Sequence, residues 1–214
     1  MLVEEVMKKE VITLPPDAKI ETALKMLNKH HIRHIPIVND SHEVLGIVSD
    51  RDVRDASPSI FDQNHSEQLT NEIQTIMSHP VITVHPLDFV EEVAGIFYEN
   101  EIACVPVTEN QKLIGIVTEK DVLYTLIQLT GIHEQSSQIE LRVENKIGTL
   151  PKITNLIGEH KVNISSVFIY PDKRHSGKKI IVFRIQTMNP IPVIESLKTH
   201  GLEVLWPNIP GVTK

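Results

Sequence analysis

Two short motifs of the chain combine a hydroxyl with a carboxylate three residues later. They are Ser49-Asp-Arg-Asp52 and Thr118-Glu-Lys-Asp121, and each follows an apolar run that ends in Gly-Ile-Val. A carboxylate in the first turn of a helix can accept two hydrogen bonds from a ribose diol, while the hydroxyl and the free backbone amides face a phosphate. The same spacing also suits a simple helix cap, which is worth about 1 kcal/mol. The motifs therefore predict ligand contacts, helix capping or both.

The segments around these motifs recur at an offset of about 70 residues. An apolar stripe with the i, i+3, i+4, i+7 spacing of an amphipathic helix occurs in both copies. Two β-branched runs joined by a polar turn follow each stripe and predict a hairpin. The chain therefore predicts a β-α-β-β-α unit that is present twice. The aligned positions are Met7 with Met77, Ile20, Ala23, Leu24 and Leu27 with Val90, Val93, Ala94 and Phe97, and residues 32–38 and 44–48 with 102–108 and 113–117.

Each copy has a proline inside its first hairpin run, at Pro36 and Pro106. Proline removes a hydrogen bond from a strand and is normally confined to strand starts, edges or bulges. The first strand of each hairpin is therefore expected to begin or bend at its proline. The irregular backbone would leave polar groups free to face a ligand, although a proline at a strand start requires no ligand.

The repeated pattern Gly46-Ile-Val-Ser49-Asp-Arg-Asp52 and Gly115-Ile-Val-Thr118-Glu-Lys-Asp121, with Ile-Thr at 12–13 and 82–83, resembles a tandem pair of CBS domains, a Bateman module. The resemblance covers about residues 1–130. It implies a first CBS motif at 1–60, a linker at 61–76, a second motif at 77–132 and a linker at 133–137. It also implies that an adenosyl ligand such as AMP, ADP, ATP or S-adenosylmethionine binds in the clefts between the motifs. No cofactor is expected to be required.

The resemblance also implies a set of nucleotide-binding positions. In the first motif they are Ile12, Thr13, Ile32, Arg33, His34, Ile35, Pro36, Ser49 and Asp52, and in the second Ile82, Thr83, Ala103, Cys104, Val105, Pro106, Thr118 and Asp121. The two copies differ where a phosphate would bind, because Arg33 and His34 supply donors that Ala103 and Cys104 lack. We therefore expect the main nucleotide site to use Arg33 and His34 together with Ser49 and Asp52.

The last third of the chain predicts a separate domain. Strands at 139–144, 162–170, 179–186 and 202–206 and two helices give the order β-α-β-β-α-β of a ferredoxin-like sandwich. Glu144-Asn-Lys-Ile-Gly-Thr-Leu150 and Val162-Asn-Ile164 resemble the ACT domain family, which implies an ACT domain at 138–214. Its ligand or interface positions would be Asn145, Gly148, Leu150 and Asn163, although a dimerisation module without a ligand is equally compatible. Phe168 and Trp206 are expected in the core.

Composition excludes several classes of function. The 214 residues carry a net charge of −7, divided into −12 for residues 1–137 and +5 for 138–214, so bulk nucleic-acid binding is not expected. The single cysteine, Cys104, cannot form an internal disulfide, which favours a protein from a reducing, cytoplasmic compartment. Cys104 itself is expected to be a small buried apolar residue. No apolar run is long enough to span a membrane, and the N-terminus has no signal pattern. His30, His31 and His34 lack the companion ligands of a metal site.

No combination of nucleophile, base and oxyanion hole is evident, so the chain is predicted to be regulatory and not an enzyme. The order of its domains, with Ala56-Ser-Pro-Ser-Ile-Phe61, His85-Pro-Leu-Asp-Phe-Val-Glu-Glu92, Thr187-Met-Asn-Pro190 and Trp206-Pro207, resembles the acetoin-utilisation (AcuB) family of Gram-positive bacteria. That resemblance implies a role in acetoin or butanediol catabolism and sporulation, a homodimer, and a partner enzyme. The main hypothesis is an adenine-nucleotide sensor. The alternative is an amino-acid or small-acid sensor that uses an ACT dimer interface, with structural CBS domains.

Overall fold

The computed structural model of the protein describes residues 1–57 and 68–207. They belong to two compact units, one from Met1 to Leu123 and one from Tyr124 onward. Residues 61–67 of the predicted first linker, residues 208–214 of the predicted third domain and the Ser-Pro-Ser-Ile-Phe stretch from position 58 onward lie outside the described residues.

The first unit contains one arrangement twice, namely a helix, an antiparallel hairpin and a second helix. We call residues 1–57 the first repeat and 68–123 the second repeat. The tandem mixed α/β organisation is thereby confirmed. The elements are α1 (Val3–Val6), α2 (Ile20–His30), β1 (His34–Val38), β2 (Val44–Ser49), α3 (Asp50–Asp55), α4 (Val90–Asn100), β3 (Cys104–Glu109), β4 (Lys112–Thr118) and α5 (Glu119–Thr130), with short 3₁₀ turns at Gln68–Thr70 and Ile73–Thr75.

The opening strand predicted for each repeat is reduced to a single bridging residue. Leu14 pairs in parallel with β1 and Val84 pairs in parallel with β3. The N–H of Leu14 donates to the carbonyl of Pro36 at 3.3 Å, and the N–H of Val38 donates back to Leu14 at 3.0 Å. Neither bond needs an N–H from Pro36, so the strand accommodates the proline in its interior.

The strands do not begin at their prolines. Pro36 and Pro106 are each the third residue of a strand, and the register of each hairpin shifts one residue further on, after Ile37 and after Val107. The irregularity expected near the prolines is therefore a β-bulge, which places two residues of one strand opposite one of its partner.

The opening segments of the two repeats, residues 1–13 and 68–83, exchange places. Val3 of the first segment is fully buried in the core of the second repeat, beside Val84 and Phe97. Ile73 of the second segment is fully buried in the core of the first repeat, beside Ile20. Each core is therefore completed by an apolar side chain from the other copy, which joins the two repeats into one unit.

Backbone pairing follows the same exchange. Lys8 and Ile116 donate N–H to each other's carbonyls at 3.0 Å, and Ser78 pairs in the same way with Ile47 at 2.9 and 3.1 Å. The opening segment of each repeat thus adds a bridge to the hairpin of the other repeat. This crossing determines which residues share a cleft.

The second unit contains a four-stranded antiparallel sheet in the order β6-β7-β5-β8. Helices α6 and α7 supply Ile153, Ile157, Ile194 and other apolar residues that pack on its inner face, where they bury Phe183 completely. This order and the two helices confirm the predicted ferredoxin-like fold. The elements are β5 (Ser137–Glu144), α6 (Thr149–Glu159), β6 (Ile164–Pro171), β7 (Lys178–Ile185), α7 (Ile191–Thr199) and β8 (Glu203–Trp206).

The prediction that Trp206 lies in the core is wrong. Trp206 is 53% exposed and pairs with Glu140 on β5, whereas the neighbouring Ile139 and Leu141 are fully buried under the helices. Because residues paired across strands share a face, Trp206 lies on the open face of the sheet. The same prediction is wrong for Phe168, which is half-buried and pairs with Val182, the partner of Glu140, so that it also lies on the open face.

Candidate functional site

Both hydroxyl-carboxylate motifs form helix caps. The Ser49 hydroxyl accepts a hydrogen bond from the N–H of Asp52 at 3.2 Å, and Oδ2 of Asp52 accepts from the N–H and the hydroxyl of Ser49, both at 2.7 Å. In the second repeat, Oδ2 of Asp121 accepts from the N–H of Thr118 at 3.0 Å and from its hydroxyl at 2.5 Å. The capping interpretation therefore holds, and it fixes each carboxylate at the start of its helix.

A cavity of about 410 Å³ lies beside the second of these motifs. Its wall combines the opening segment of the first repeat, the stretch before β1, and the start of α5 from the second repeat. The lining residues are Lys8, Glu10, Val11, Ile12, His31, Ile32, Arg33, His34, Ala103, Ile116, Thr118, Glu119 and Lys120.

Six of the predicted nucleotide positions line this cavity. They are Ile12, Ile32, Arg33, His34, Ala103 and Thr118. The remaining predicted positions lie outside its wall, and they are Thr13, Ile35, Pro36, Ser49, Asp52, Ile82, Thr83, Cys104, Val105, Pro106 and Asp121. Asp121 lies close behind the wall, because its Oδ1 is 3.2 Å from Nζ of the lining residue Lys8.

Arg33 and His34 lie near residues of both repeats. His34 pairs with Ser49 across the β1-β2 hairpin, and the charge of Asp52 acts on its imidazole. In the structure the two basic residues share a cavity with Thr118, which belongs to the other repeat. The physical reason is the exchange of opening segments, because the bridge between Lys8 and Ile116 brings the first repeat's segment against β4.

Five of the predicted positions are buried, namely Ile35, Pro36, Cys104, Val105 and Pro106. Ile35 and Val105 are 0% exposed and pack in the cores of the two repeats, so their side chains face away from the cavity. Cys104 is also buried, and burial, together with the charge of Asp121, raises the pKa of its thiol to about 12. A thiol with that pKa stays protonated at neutral pH and is a poor nucleophile.

The cavity is rich in charge. Lys8, Arg33 and Lys120 contribute cations, and Glu10 and Glu119 contribute carboxylates. Such a mixed wall offers donors to a phosphate at one part and acceptors to hydroxyls at another.

Burial lowers the pKa of the His34 imidazole, and the charge of Arg33 acts in the same direction. Asp50, Asp52 and Glu119 oppose this shift. His34 is therefore neutral at pH 7, and a phosphate placed beside it would favour the protonated ring.

Sequence reasoning missed seven lining residues. They are Lys8, Glu10, Val11, His31, Ile116, Glu119 and Lys120. Glu119 and Lys120 lie inside the Thr118–Asp121 motif and could have been included with it. A signal for Lys8 was also present, since its neighbour Met7 recurs as Met77 in the repeat.

The predicted ACT positions occupy the turn into α6 and the start of β6. Gly148 precedes α6 with φ +86°, a conformation that favours glycine, and the N–H of Asn145 donates to the carbonyl of Gly177 at 3.0 Å. Leu150 packs against the core, and the carbonyl of Asn163 accepts from Gln186 at 2.9 Å.

A smaller cavity of about 190 Å³ lies elsewhere in the second unit, on the open face of the sheet. Its lining includes Ser166, Phe168, Gln138 and Arg184. The guanidinium of Arg184 donates to Oε1 of Gln138 at 3.1 Å and to the hydroxyl of Ser136 at 3.2 Å.

In residues 1–57 and 68–207, no helix combines the length and the apolar character that crossing a membrane requires. The same residues contain no group of three or more His, Cys, Asp or Glu side chains arranged to hold a metal ion.

Comparison with known proteins identifies two families. The sequence matches the CBS domain over residues 3–59 and 73–128, just over half of the chain, and the ACT domain over 137–199. It is 31% identical over 135 residues to a CBS domain-containing protein of Dictyostelium discoideum. The aligned residues cover 60% of this chain and 93% of that protein. It is 34% identical over 122 residues to the L-aspartate semialdehyde sulfurtransferase of Methanocaldococcus jannaschii. The aligned residues cover 56% of this chain and only 22% of that enzyme.

Solved structures give the same result. The CBS domain pair of protein MJ0100, determined in complex with 5′-methylthioadenosine and S-adenosyl-L-methionine, has a TM-score of 0.52 and 32% identity over 59% of this chain and 95% of its own. A Vibrio cholerae protein assigned to acetoin utilization (AcuB) has a TM-score of 0.54 and 29% identity over 64% of this chain and 98% of its own.

Proposed function

The chain belongs to the CBS domain family and carries a C-terminal ACT domain, and we propose that it is a non-catalytic regulatory protein that senses an adenine nucleotide. One observation carries this proposal. The cavity of the first unit brings Arg33 and His34 together with Thr118 and Lys8, and both of the latter contact the carboxylate of Asp121. A phosphate requires the donors, and a ribose diol requires the acceptors.

The chemistry of each group suits one part of a nucleotide. Arg33 offers a planar fork of donors to a phosphate, and a neutral His34 can become a second charged donor beside it. Asp121 and Thr118, fixed by the cap at the start of α5, offer oxygens to the ribose hydroxyls. The apolar residues Val11, Ile12 and Ile32 supply a surface for the adenine ring.

The second, symmetry-related cleft would contain fewer cations. Counted by the repeat offset, Ser78 and Cys104 stand where the first cleft has Lys8 and His34, while Arg33 and Ala103, which both line the first cleft, exchange positions. That cleft would use Ser49 and Asp52 as its ribose acceptors. We therefore propose that it binds nucleotides more weakly, or binds a less charged adenosyl compound.

The comparisons support the ligand class. The MJ0100 domain pair, 32% identical, was solved with two adenosyl compounds. The resemblance to the Vibrio cholerae protein supports a finer proposal, that this chain acts in acetoin or butanediol catabolism. We add sporulation, a homodimeric state and a partner enzyme to that proposal on the sequence resemblance alone.

The proposal is tested by isothermal titration of the full chain with AMP, ADP and ATP. Asp121→Asn should abolish the tight phase of binding, and Asp52→Asn is the matched control, because it makes the same change in the equivalent cap of the other repeat. Arg33→Ala should weaken binding about tenfold, the value of one charge-assisted hydrogen bond. If Asp52→Asn abolishes tight binding and Asp121→Asn does not, the assignment of the cleft is wrong. If wild type binds no adenine nucleotide, the proposed function is wrong.

A second candidate places sensing in the ACT unit. The cavity of about 190 Å³ with Arg184, Gln138 and Ser166 is small for a nucleotide but suits an amino acid or small organic acid, whose carboxylate Arg184 would bind. Thermal unfolding with a panel of amino acids separates the candidates. A ligand at 100 times its dissociation constant stabilises the protein by about 2.7 kcal/mol, and an amino-acid response lost in Arg184→Met would assign sensing to this unit.

A further inference from the structure

The side chain of Lys8 contacts the carboxylate assigned to the ribose. Its Nζ lies 3.2 Å from Oδ1 of Asp121, while Oδ2 of the same carboxylate accepts hydrogen bonds from Thr118. The Lys8 side chain is 58% exposed, whereas that of Asp121 is only 14% exposed. The carboxylate is thus held in place, and the ammonium is the partner that is free to move.

A ribose diol and Lys8 compete for the same oxygen. A diol hydrogen-bonds well to a carboxylate only where an oxygen is accessible, and the ammonium of Lys8 stands at Oδ1 of Asp121. An ion pair with one exposed partner is weak, because water competes for the charge and the long side chain loses freedom when it is held. Sugar hydroxyls can therefore displace Lys8 at low cost.

The displaced ammonium remains in the cavity. Lys8 lines the same wall as Arg33 and His34, and its backbone is held in place by the bridge to Ile116. An ammonium released from Asp121 can therefore reorient on its flexible stem toward an anion bound by Arg33.

We propose that Lys8 determines specificity at this site, and the inference rests on the proposed nucleotide function. The ribose hydroxyls of the ligand replace Lys8 as the partner of the Asp121 carboxylate, and the ammonium of Lys8 then pairs with the 5′ phosphate of the same ligand. An adenosyl ligand with an uncharged or cationic 5′ group displaces Lys8 without giving it a new partner. The cavity therefore selects phosphorylated adenosines over thioether or sulfonium adenosyl compounds.

The repeat offers an internal comparison. The residue equivalent to Lys8 is Ser78, which pairs with Ile47 as Lys8 pairs with Ile116 but has no charge. Only the cleft of Lys8 therefore has an ammonium at this position. The selectivity is expected in one of the two clefts and not in the other.

The test is isothermal titration of the full chain with ADP and with 5′-methylthioadenosine. Lys8→Met keeps an unbranched side chain that is one atom shorter and removes the charge, and the exposed neighbour Lys9 supplies the matched control Lys9→Met. Lys8→Met should weaken ADP binding about tenfold, while methylthioadenosine binding stays the same or tightens a few-fold. Lys9→Met should leave both affinities within twofold of wild type. A thermal melt of each variant without ligand checks that it is folded.

Failure of this inference differs from failure of the proposed function. If the wild type binds neither compound, the proposed nucleotide function is wrong. If the wild type binds both and Lys8→Met changes the two affinities by the same factor, or changes neither, Lys8 does not set specificity. Preference of the wild type for methylthioadenosine would overturn the inference as well.

Discussion

The exchange of opening segments predicts a specific pattern of stability changes at two strand glycines. A methyl group added at Gly46 would overlap Sδ of Met77 and come within 2.8 Å of its Cγ. At Gly115 it would lie 2.6 Å from Sδ of Met7 and 3.2 Å from the carbonyl oxygen of Lys8. Overpacking of this kind costs about 1–3 kcal/mol. Gly46→Ala and Gly115→Ala should each lower the free energy of unfolding by that amount.

The two substitutions should differ in how they are rescued. Near Gly46 the close atoms all belong to the flexible side chain of Met77, so Met77→Ala should remove almost the whole cost of Gly46→Ala. Near Gly115 the carbonyl oxygen of Lys8 belongs to the backbone, so Met7→Ala should rescue Gly115→Ala only in part. The coupling energy from each double-mutant cycle is the quantity to compare.

Urea unfolding followed by circular dichroism measures these energies. Gly95→Ala is the control, because nothing lies within 4 Å of the added methyl group and the site is inside α4, where alanine should stabilise the protein by about 1 kcal/mol. Strictly additive costs in both cycles would refute the close approach of the methionines to the glycines, and with it the crossing that builds the cavity.

Three further predictions concern titratable groups. Since burial lowers the pKa of His34 and a phosphate would raise it, ADP should bind more tightly as the pH falls from about 7.5 to 6, and His34→Gln should remove that dependence, measured by titration at each pH. The thiol of Cys104, with a pKa of about 12, is ionised to roughly one part in 10⁴ at pH 8, so Ellman's reagent should label it only after denaturation. The pKa of Asp172 is lowered mainly by the hydrogen bond from the N–H of Arg174, and to a smaller extent by Arg142 and His175. The ionised carboxylate therefore stabilises the fold above pH 3.8, and this stabilisation is lost as the pH falls further. Asp172→Asn should therefore lower the melting temperature at pH 7, and its difference from wild type should narrow in acid.

Each of these has an outcome that contradicts it. An unchanged pH profile in His34→Gln would place the titrating group elsewhere. Rapid labelling of native Cys104 at pH 8 would show that the strand opens readily or that the thiol is accessible. A constant gap in melting temperature between Asp172→Asn and wild type from pH 7 into acid would show that ionisation of Asp172 does not contribute.

The helices and hairpins could be predicted from the sequence because their determinants are local. Ile20, Ala23 and Leu27 lie at helical spacing, and all three are buried in α2. The equivalent positions of α4 behave in the same way. A periodic apolar face specifies the element and the side that it buries without knowledge of its partner. The ACT sheet could be predicted for the same reason, from the alternation in β5.

The placement of Trp206 could not be predicted from local periodicity. An apolar residue in a predicted strand indicates a buried face only when both the register and the covering layer are known. Trp206 pairs with Glu140, on the side of the sheet opposite α6 and α7, and neither the pairing nor the side is encoded in the four residues of β8. Its large side chain made burial the natural expectation.

The contact of Arg33 with the second repeat depends on non-local information in the same way. An internal repeat leads each motif to be treated as a complete unit, so the sequence groups Arg33 with Ser49 of the same copy and does not predict Thr118. Because the opening segments cross, the cavity beside Arg33 also takes the hydroxyl of Thr118 from the other copy. The paired recurrence of methionine and glycine, Met7 with Gly115 and Met77 with Gly46, records that crossing in the sequence, because only glycine leaves room for the sulfur. A substitution in one copy is consequently expected to affect both clefts. The basic residues of the first repeat, Lys8 and Arg33, act in a site that Thr118 of the second repeat completes.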